Sequence, residues 1–191
     1  MKTNNLTKKS EGFTLLEVIV SISLFVVIIL IVNSMYSISQ RVYNKSSDEA
    51  ELVQNARVCL DRISREIRQS VNIITDMPST PTSTPAEEIF FQDGHDIDQI
   101  TYIYYYLDGS DLVRQHRAYE FPAESGVYVP IGSVDEFDDS PDKIILKDRI
   151  VGQYFDALEF WGENGWVNIS IDLSKNQDFL NVDTSVYSRN F

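Results

Sequence analysis

Phe13-Thr-Leu-Leu-Glu17-Val-Ile-Val-Ser-Ile-Ser-Leu-Phe-Val-Val-Ile-Ile-Leu-Ile-Val32 is an apolar run whose one charge is Glu17. A run of about 20 residues crosses the hydrocarbon core of a bilayer as a single helix. A carboxylate inside that layer is costly and calls for a partner. The run is too long for the apolar core of a signal peptide, and Asn33-Ser34-Met35 continues in helix-compatible sequence instead of a small-residue cleavage site. Lys2, Lys8 and Lys9 precede it, so the N-terminus is expected to stay on the cytoplasmic side and everything after Val32 to be exported.

Downstream, neither proline nor glycine occurs between Phe13 and Met77, so nothing in the backbone stops one helix from running to about Ile74. At about 1.5 Å per residue that helix is on the order of 90 Å long. Its first half is apolar all round. Its second half is amphipathic: Leu52, Ala56, Leu60, Ile63, Ile67, Val71 and Ile74 recur at gaps of four and three and form one stripe. The stripe asks for one partner surface, expected to be a sheet.

Gly12-Phe13-Thr14-Leu15-Leu16-Glu17-Val18, preceded by Lys8-Lys9-Ser10-Glu11, resembles the class III leader junction of type IV pilins and type II secretion pseudopilins. The resemblance implies a prepilin peptidase that cuts between Gly12 and Phe13 and methylates the new amine of Phe13, which makes residues 1–12 a leader. It also gives Glu17 an assembly role, its charge answering the α-amino group of a neighbouring subunit's first residue. Such a pair in low dielectric also aligns the subunits. The implied partners are other pilin or pseudopilin subunits, the prepilin peptidase, the inner-membrane assembly platform, and the membrane before assembly. The alternative is a generic anchor, with Glu17 snorkelling to the interface and the helix tethering an exported binding or enzymatic domain that never polymerises. One departure from the family is that Ile31-Val32-Asn33-Ser34 lacks the helix-kinking proline of many major subunits.

Charge limits what the exported part can bind. The chain carries a net charge of −13, and removing the leader's three lysines and one glutamate leaves 13 basic against 28 acidic residues, a net −15. Such a surface repels phosphate backbones, so no direct nucleic-acid partner is expected. Arg57, Arg62, Arg65 and Arg68 are interleaved with Asp61 and Glu66, which reads as a solvated, salt-bridged helix face. Cys59 is the only cysteine. It cannot close an internal disulfide, and neither His95 nor His116 has a motif tying it to the thiol, so it is expected to be buried and inert.

Met77-Pro-Ser-Thr-Pro-Thr-Ser-Thr-Pro85 has three prolines among hydroxyl residues and reads as an extended, solvated loop that ends the helix. Its composition also suits O-glycosylation, though only as composition. Beyond it, residues 88–92, 99–107, 112–119, 143–146, 157–161 and 166–173 are rich in aromatic and β-branched side chains and are expected to be strands. Asp108-Gly109-Ser110-Asp111 signals a tight hairpin. Gly162-Glu163-Asn164-Gly165 signals a second, with Trp161 and Trp166 at the strand ends, where they are expected to pack on the helix.

The segments Asp98-Gln-Ile-Thr-Tyr-Ile-Tyr-Tyr-Tyr-Leu-Asp-Gly109, Leu112-Val113-Arg114, Leu158-Glu-Phe-Trp161 and Ser188-Arg189-Asn190 resemble J-class pseudopilins or PilW-like minor pilins, as does Leu60-Asp-Arg-Ile-Ser-Arg-Glu-Ile-Arg68. Asp93, Asp96 and Asp98, and Asp135, Glu136, Asp138, Asp139 and Asp142, gather carboxylates of the kind calcium prefers, but neither group has EF-hand spacing, and solvated loop charge is the expected role. His95 is expected to be exposed. No nucleophile elbow, zinc motif, phosphate loop or dinucleotide fingerprint places catalysis, so no enzymatic activity, cofactor or metal is expected.

The fold class expected is α+β, the type IV pilin fold: a leader at 1–12, a transmembrane and filament-core helix at 13–32, its amphipathic continuation at 33–75, a Pro/Ser/Thr loop at 76–86, and an exported antiparallel β-sheet domain at 87–191. The expected location is the cytoplasmic (inner) membrane as a single-pass protein, then an extracellular or periplasmic filament.

Overall fold

The computed structural model of the chain describes residues 12–81, 84–95 and 99–189. Residues 1–11 of the expected leader, Thr82 and Ser83 of the loop, Asp96 and Asp98 of the first acidic group, and Asn190 lie outside the described residues. The chain divides into two units, Met1–Ser46 and Ser47–Phe191. Helix α1 (Leu15–Gln69) contributes residues to both.

In the first unit every described side chain from Gly12 to Ser46 is exposed. The apolar residues Phe13, Leu15 and Leu16 are 87, 80 and 72 % accessible. The helix is long and apolar enough to cross a membrane. Two of its hydroxyls bond back into their own turn: Ser23 Oγ donates to the Ile19 carbonyl at 2.8 Å and Ser37 Oγ to the Asn33 carbonyl at 3.0 Å.

In the second unit the stripe forecast for the helix forms the core from Leu52 to Ile67, whereas Val71 is exposed and Ile74 half-buried, both beyond the helix. Leu52, Ala56, Cys59, Leu60, Ile63 and Ile67 are buried together with Ile89, Phe91, Ile103, Tyr105, Leu158, Phe160 and Ile169. The antiparallel strands expected after the helix form, and they divide into two sheets. The first is an antiparallel meander of β1 (Asn72–Ile73), β2 (Ile89–Gln92), β3 (Thr101–Asp108), β4 (Asp111–Glu120) and β5 (Asp142–Gly152), in that spatial order. The second comprises β6 (Phe155–Trp161), β7 (Trp166–Lys175) and β8 (Asp178–Tyr187), again in order. The Asp-Gly hairpin forms as forecast: Asp108 pairs with Asp111 across Gly109 and Ser110, and Gly109 adopts φ 62°.

The helix stops at Gln69, not near Ile74. Val71-Asn72-Ile73-Ile74 is β-branched and asparagine sequence, and its backbone finds partners on the edge of β2: Val71 N donates to Gln92 O at 3.1 Å and Ile74 N to Phe90 O at 2.8 Å. Ser70 closes the helix by donating its amide and hydroxyl to Ile67 O, at 3.1 and 2.7 Å. The Pro/Ser/Thr loop is not simply solvated either. Pro78 O accepts from Gly162 N at 2.8 Å, and Ala86 exchanges both backbone bonds with Phe160 at 3.0 and 2.8 Å. Ala86 therefore occupies the outer edge of β6 at Phe160, one point of an edge otherwise open to pairing with another chain.

Gly152 ends β5 against the helix. A Cβ there would collide with Cys59 Sγ and lie 2.6 Å from Phe155 Cε2. Gly152→Ala is expected to cost about 1–3 kcal/mol through overpacking. The cost should shrink in a Cys59→Ala background, because one of the two colliding groups is gone. Urea unfolding of the four combinations checks this; equal costs in both backgrounds would remove Cys59 as the obstacle.

Candidate functional site

The residues singled out at the N-terminus lie at the start of α1. Thr14 stands at the N-cap, and Val18 N donates the first helical bond to Thr14 O at 3.2 Å. Glu17 N donates to Thr14 Oγ1 at 3.3 Å, while Thr14 N donates to Glu17 Oε2 at 2.9 Å. This reciprocal pair is a capping box, and it satisfies two amides that a helix start leaves unpaired. The Thr14 hydroxyl also bonds Glu17 Oε2, at 2.9 Å. Glu17 is thus held in the first turn, where the helix dipole favours negative charge.

Gly12 and Phe13 precede the helix in irregular, exposed backbone. A Cβ on Gly12 would meet nothing within 4 Å. Nothing among the described residues therefore requires glycine at this position. Sequence reasoning singled out Gly12, Phe13 and Glu17 but missed Thr14 as a cap, although Thr-x-x-Glu ahead of an apolar run is the signature of one.

The other candidates scatter over the second unit. Arg57, Arg65 and Arg68 are exposed, in keeping with a solvated face. Glu66 departs from that reading. It is 8 % accessible, accepts from Tyr105 Oη at 2.7 Å and from Arg114 Nε at 2.9 Å. Burial, then the Glu66 charge, pushes the Tyr105 phenol far above its ordinary range. Burial works against the Arg114 charge, but Glu66 outweighs it and the net shift is upward. The signal was spacing: Ile63, Glu66 and Ile67 share one helix face, so an acid at 66 points inward with the stripe.

Cys59 is buried, its thiol within 3.3 Å of Val151 O and pushed up to about 11 by burial, which suits an inert role. His95 is exposed beside Asp93, Nδ1 to Oδ1 3.1 Å. His116 Nε2 is buried, 3.8 Å from Asp93 Oδ2, and makes no hydrogen bond. In the second acidic group Asp135 accepts from the amides of Phe137 and Asp139 at 2.8 and 2.9 Å, so it shapes a turn. No group of three metal-ligating side chains occurs among the described residues. Trp166 corrects an expectation: it is 54 % accessible and packs on Tyr187, with ring centres 5.3 Å apart, not on the helix. It faces outward because β7 alternates, and Val167, Ile169, Ile171 and Leu173 take the inner face.

Residues 7–33 match the family model described as the prokaryotic N-terminal methylation motif, the signal of type IV pilins and pseudopilins. No match was found among curated proteins or solved structures. One long N-terminal helix followed by antiparallel sheets is an α+β architecture consistent with the type IV pilin fold. The motif family is structural, and the motif implies processing by prepilin peptidase and contact with other pilin subunits.

Arg114→Met leaves Glu66 buried without its cation and is expected to cost about 3–5 kcal/mol, whereas Arg114→Met combined with Glu66→Gln recovers most of that loss. Denaturant midpoints of the three chains test the pairing. The His116 pKa is lowered, by burial first and then by the Arg114 charge. The folded chain therefore binds this proton less readily than the unfolded chain, so stability is full above the ordinary histidine value of about 6.5 and declines as pH falls below it. His116→Gln should flatten that part of the pH–stability curve; an unchanged slope would assign the acid sensitivity to other groups.

Proposed function

We propose that this chain is a minor pilin or pseudopilin, cut between Gly12 and Phe13, methylated at the Phe13 amine and assembled through α1 into a type IV pilus or related filament in an initiating, tip or accessory role. The methylation motif at residues 7–33 carries the reading. On this proposal residues 1–12 are the leader and 13–32 the membrane and filament-core segment. Residues 33–69 continue that segment as the remainder of α1, and the sheets that follow begin with β1 at Asn72–Ile73. The precursor is a single-pass protein of the cytoplasmic membrane with its C-terminal domain outside, and the filament is extracellular or periplasmic.

Two observations support it. The first is that the apolar surface from Phe13 to Tyr43 has no cover within the first unit. Lipid before assembly and neighbouring helices afterwards both remove it from water. The second is that Glu17 lies one helical turn from the proposed cleavage point, already ordered by Thr14. A cationic N-terminal amine from a neighbour can join that carboxylate, and a charge-assisted bond is stronger than the neutral ones it already accepts.

Gly12→Val is expected to fold normally, because its side chain meets open space, and to remain at full precursor mass in the membrane. Glu17→Ala is expected to be cut at the same bond yet lost from sheared filaments. Loss of one charge-assisted bond, about 1.5–3 kcal/mol, lowers incorporation roughly ten- to a hundred-fold. Intact-mass spectrometry of the N-terminus and quantitation of filament fractions read the two steps separately. Normal processing of Gly12→Val, or wild-type incorporation of Glu17→Ala, would defeat the corresponding half of the proposal.

A further inference from the structure

In a chain of net charge −13, one region of the second unit gathers cations without acids to match them. The pairing of β4 with β5 sets Arg149 opposite Arg114 and Lys147 opposite His116. Residues directly opposite share a face, and like charges so placed are destabilising. The face is the one turned toward α1, because Arg114 reaches Glu66 there. Arg62 lies on the same flank of the helix, before Glu66 and after Cys59, whose thiol is 3.3 Å from Val151 O near the end of β5. Val58, Arg62 and Arg65 follow one another at helical spacing and share that flank.

Little offsets this charge. Glu66 is the acid of the flank, and it is occupied by Arg114 and Tyr105. Asp148 belongs to the other face, where Gln115 Nε2 donates to it at 2.9 Å. Among the described residues Arg62, Arg65, Lys147 and Arg149 make no ion pair. Lysine on an edge strand can serve only to discourage strand pairing, but that does not account for two arginines on the helix. Val58, 54 % accessible, adds apolar surface beside the cations.

The complement to this surface lies on the same chain. Residues 135–139 form a compact turn: Asp135 Oδ1 accepts the amides of Phe137 and Asp139 at 2.8 and 2.9 Å, and Asp138 N donates to Asp135 O at 3.2 Å. The turn exposes Glu136, Asp138 and Asp139 and holds Phe137 75 % accessible. An aromatic side chain held in water by an ordered turn is a preformed anchor, with little freedom left to lose on binding. In its own copy the turn is remote from the cations. It precedes β5, which starts at Asp142, and Arg149 lies on the order of 20 Å further along that strand.

Charge and size select the occupant. A long polyanion would run past the cations onto acidic surface, beginning with Asp148 and Asp142, and would be repelled there. A short acidic turn brings carboxylates only where the cations are. Its phenyl ring can cover Val58 and stack on the guanidinium planes of Arg62 and Arg65.

We infer that the sheet domains of two copies associate head to tail, the 135–139 turn of one docking on the α1–β5 flank of the next. Phe137 lies against Val58, and the carboxylates face Arg62, Arg65, Lys147 and Arg149. The two surfaces differ, so the contact is heterologous and can extend into a series. It does not depend on the cut at Gly12 or on Glu17, and it stands if the chain is a tethered domain.

The test is analytical sedimentation of the uncut full-length chain in neutral detergent, with the charge of either surface reversed. The wild type is expected to associate as its concentration rises, and less so as salt is raised from about 0.05 to about 0.5 M. Lys147→Glu combined with Arg149→Glu, and separately Glu136→Lys combined with Asp139→Lys, should each weaken association about ten-fold or more. An equimolar mixture of the two variants should regain it, because each reversed surface then meets its complement. Phe137→Ser should weaken it about ten-fold as well. The substituted side chains are exposed, so melting temperatures should not fall. Three results would overturn the inference: a wild type that stays monomeric at about 0.1 mM, association that ignores both reversals and therefore belongs to α1, or a mixture that fails to regain it. A fourth is binding of a single-stranded oligonucleotide that Arg149→Glu abolishes while the copies stay apart, which would give the flank to a polyanion.

Discussion

The apolar side chains at the start of α1 must leave water, and the first unit offers nothing to cover them. At about 25 cal/mol per Å² of apolar surface, a run of this length cannot remain solvated in any stable state. It has to be in a bilayer or against other helices. Several features of the N-terminus are compatible with that demand: the helix has no proline or glycine, Ser23 and Ser37 bond back into their own turns, and its acid is held by its own cap. An interior without water penalises an unsatisfied backbone or hydroxyl group, and this segment supplies its own partners at Thr14, Glu17, Ser23 and Ser37.

The same helix meets the opposite problem in the second unit. There only one stripe is apolar, and a stripe is stable when a surface matches it. Two sheets supply that surface, with Ile63 and Ile67 wholly buried among their inner faces. The Glu66–Arg114–Tyr105 cluster sits in this layer and ties the helix to β3 and β4 with direction-dependent bonds. Apolar contacts alone would tolerate sliding by a turn; a buried, hydrogen-bonded carboxylate does not, because a slip strands a charge. Lys175 plays a weaker version of this role at the surface. It bonds Asp48 at 3.0 Å and Glu51 at 2.5 Å, with little net stabilisation expected from exposed pairs.

What was legible from the sequence followed periodicity; what was not depended on neighbours. The buried stripe from Leu52 to Ile67, the Asp108–Asp111 hairpin and the inert thiol of Cys59 could each be read from local spacing or residue type. The end of the helix could not, because Val71 and Ile74 prolong the 3.6-residue rhythm and only the edge of β2, distant in sequence, turns them into strand. β8 was missed because Asn181, Asp183 and Ser185 weaken its strand propensity, although they alternate with Leu180, Val182, Thr184 and Val186 in strict period two. Trp166 was expected on the helix, whereas its alternation with the buried Val167 puts it on the outer face of β7. The division into two sheets lies in the return from β5 to β6, where Tyr154 takes φ 71°, a backbone choice that no propensity forecasts for tyrosine.

At the N-terminus the sequence exposed the residues but not their relation. Glu17 alone suggests a bare acid in hydrocarbon, waiting for a cation. With Thr14 in place the carboxylate already accepts two bonds and sits at the positive end of a helix, so its desolvation is partly compensated before any neighbour arrives. That changes the energetics of the proposed assembly step. Joining a neighbour's amine is then an exchange of partners, and the gain is the difference between a charged donor and the neutral groups of Thr14. A difference of that kind is smaller than the rescue of an unpaired charge, and contacts whose gain is modest can form, break and re-form. A subunit held in this way can wait stably in the membrane and still respond to the arrival of a correctly placed amine, which an acid forced to pair at once could not.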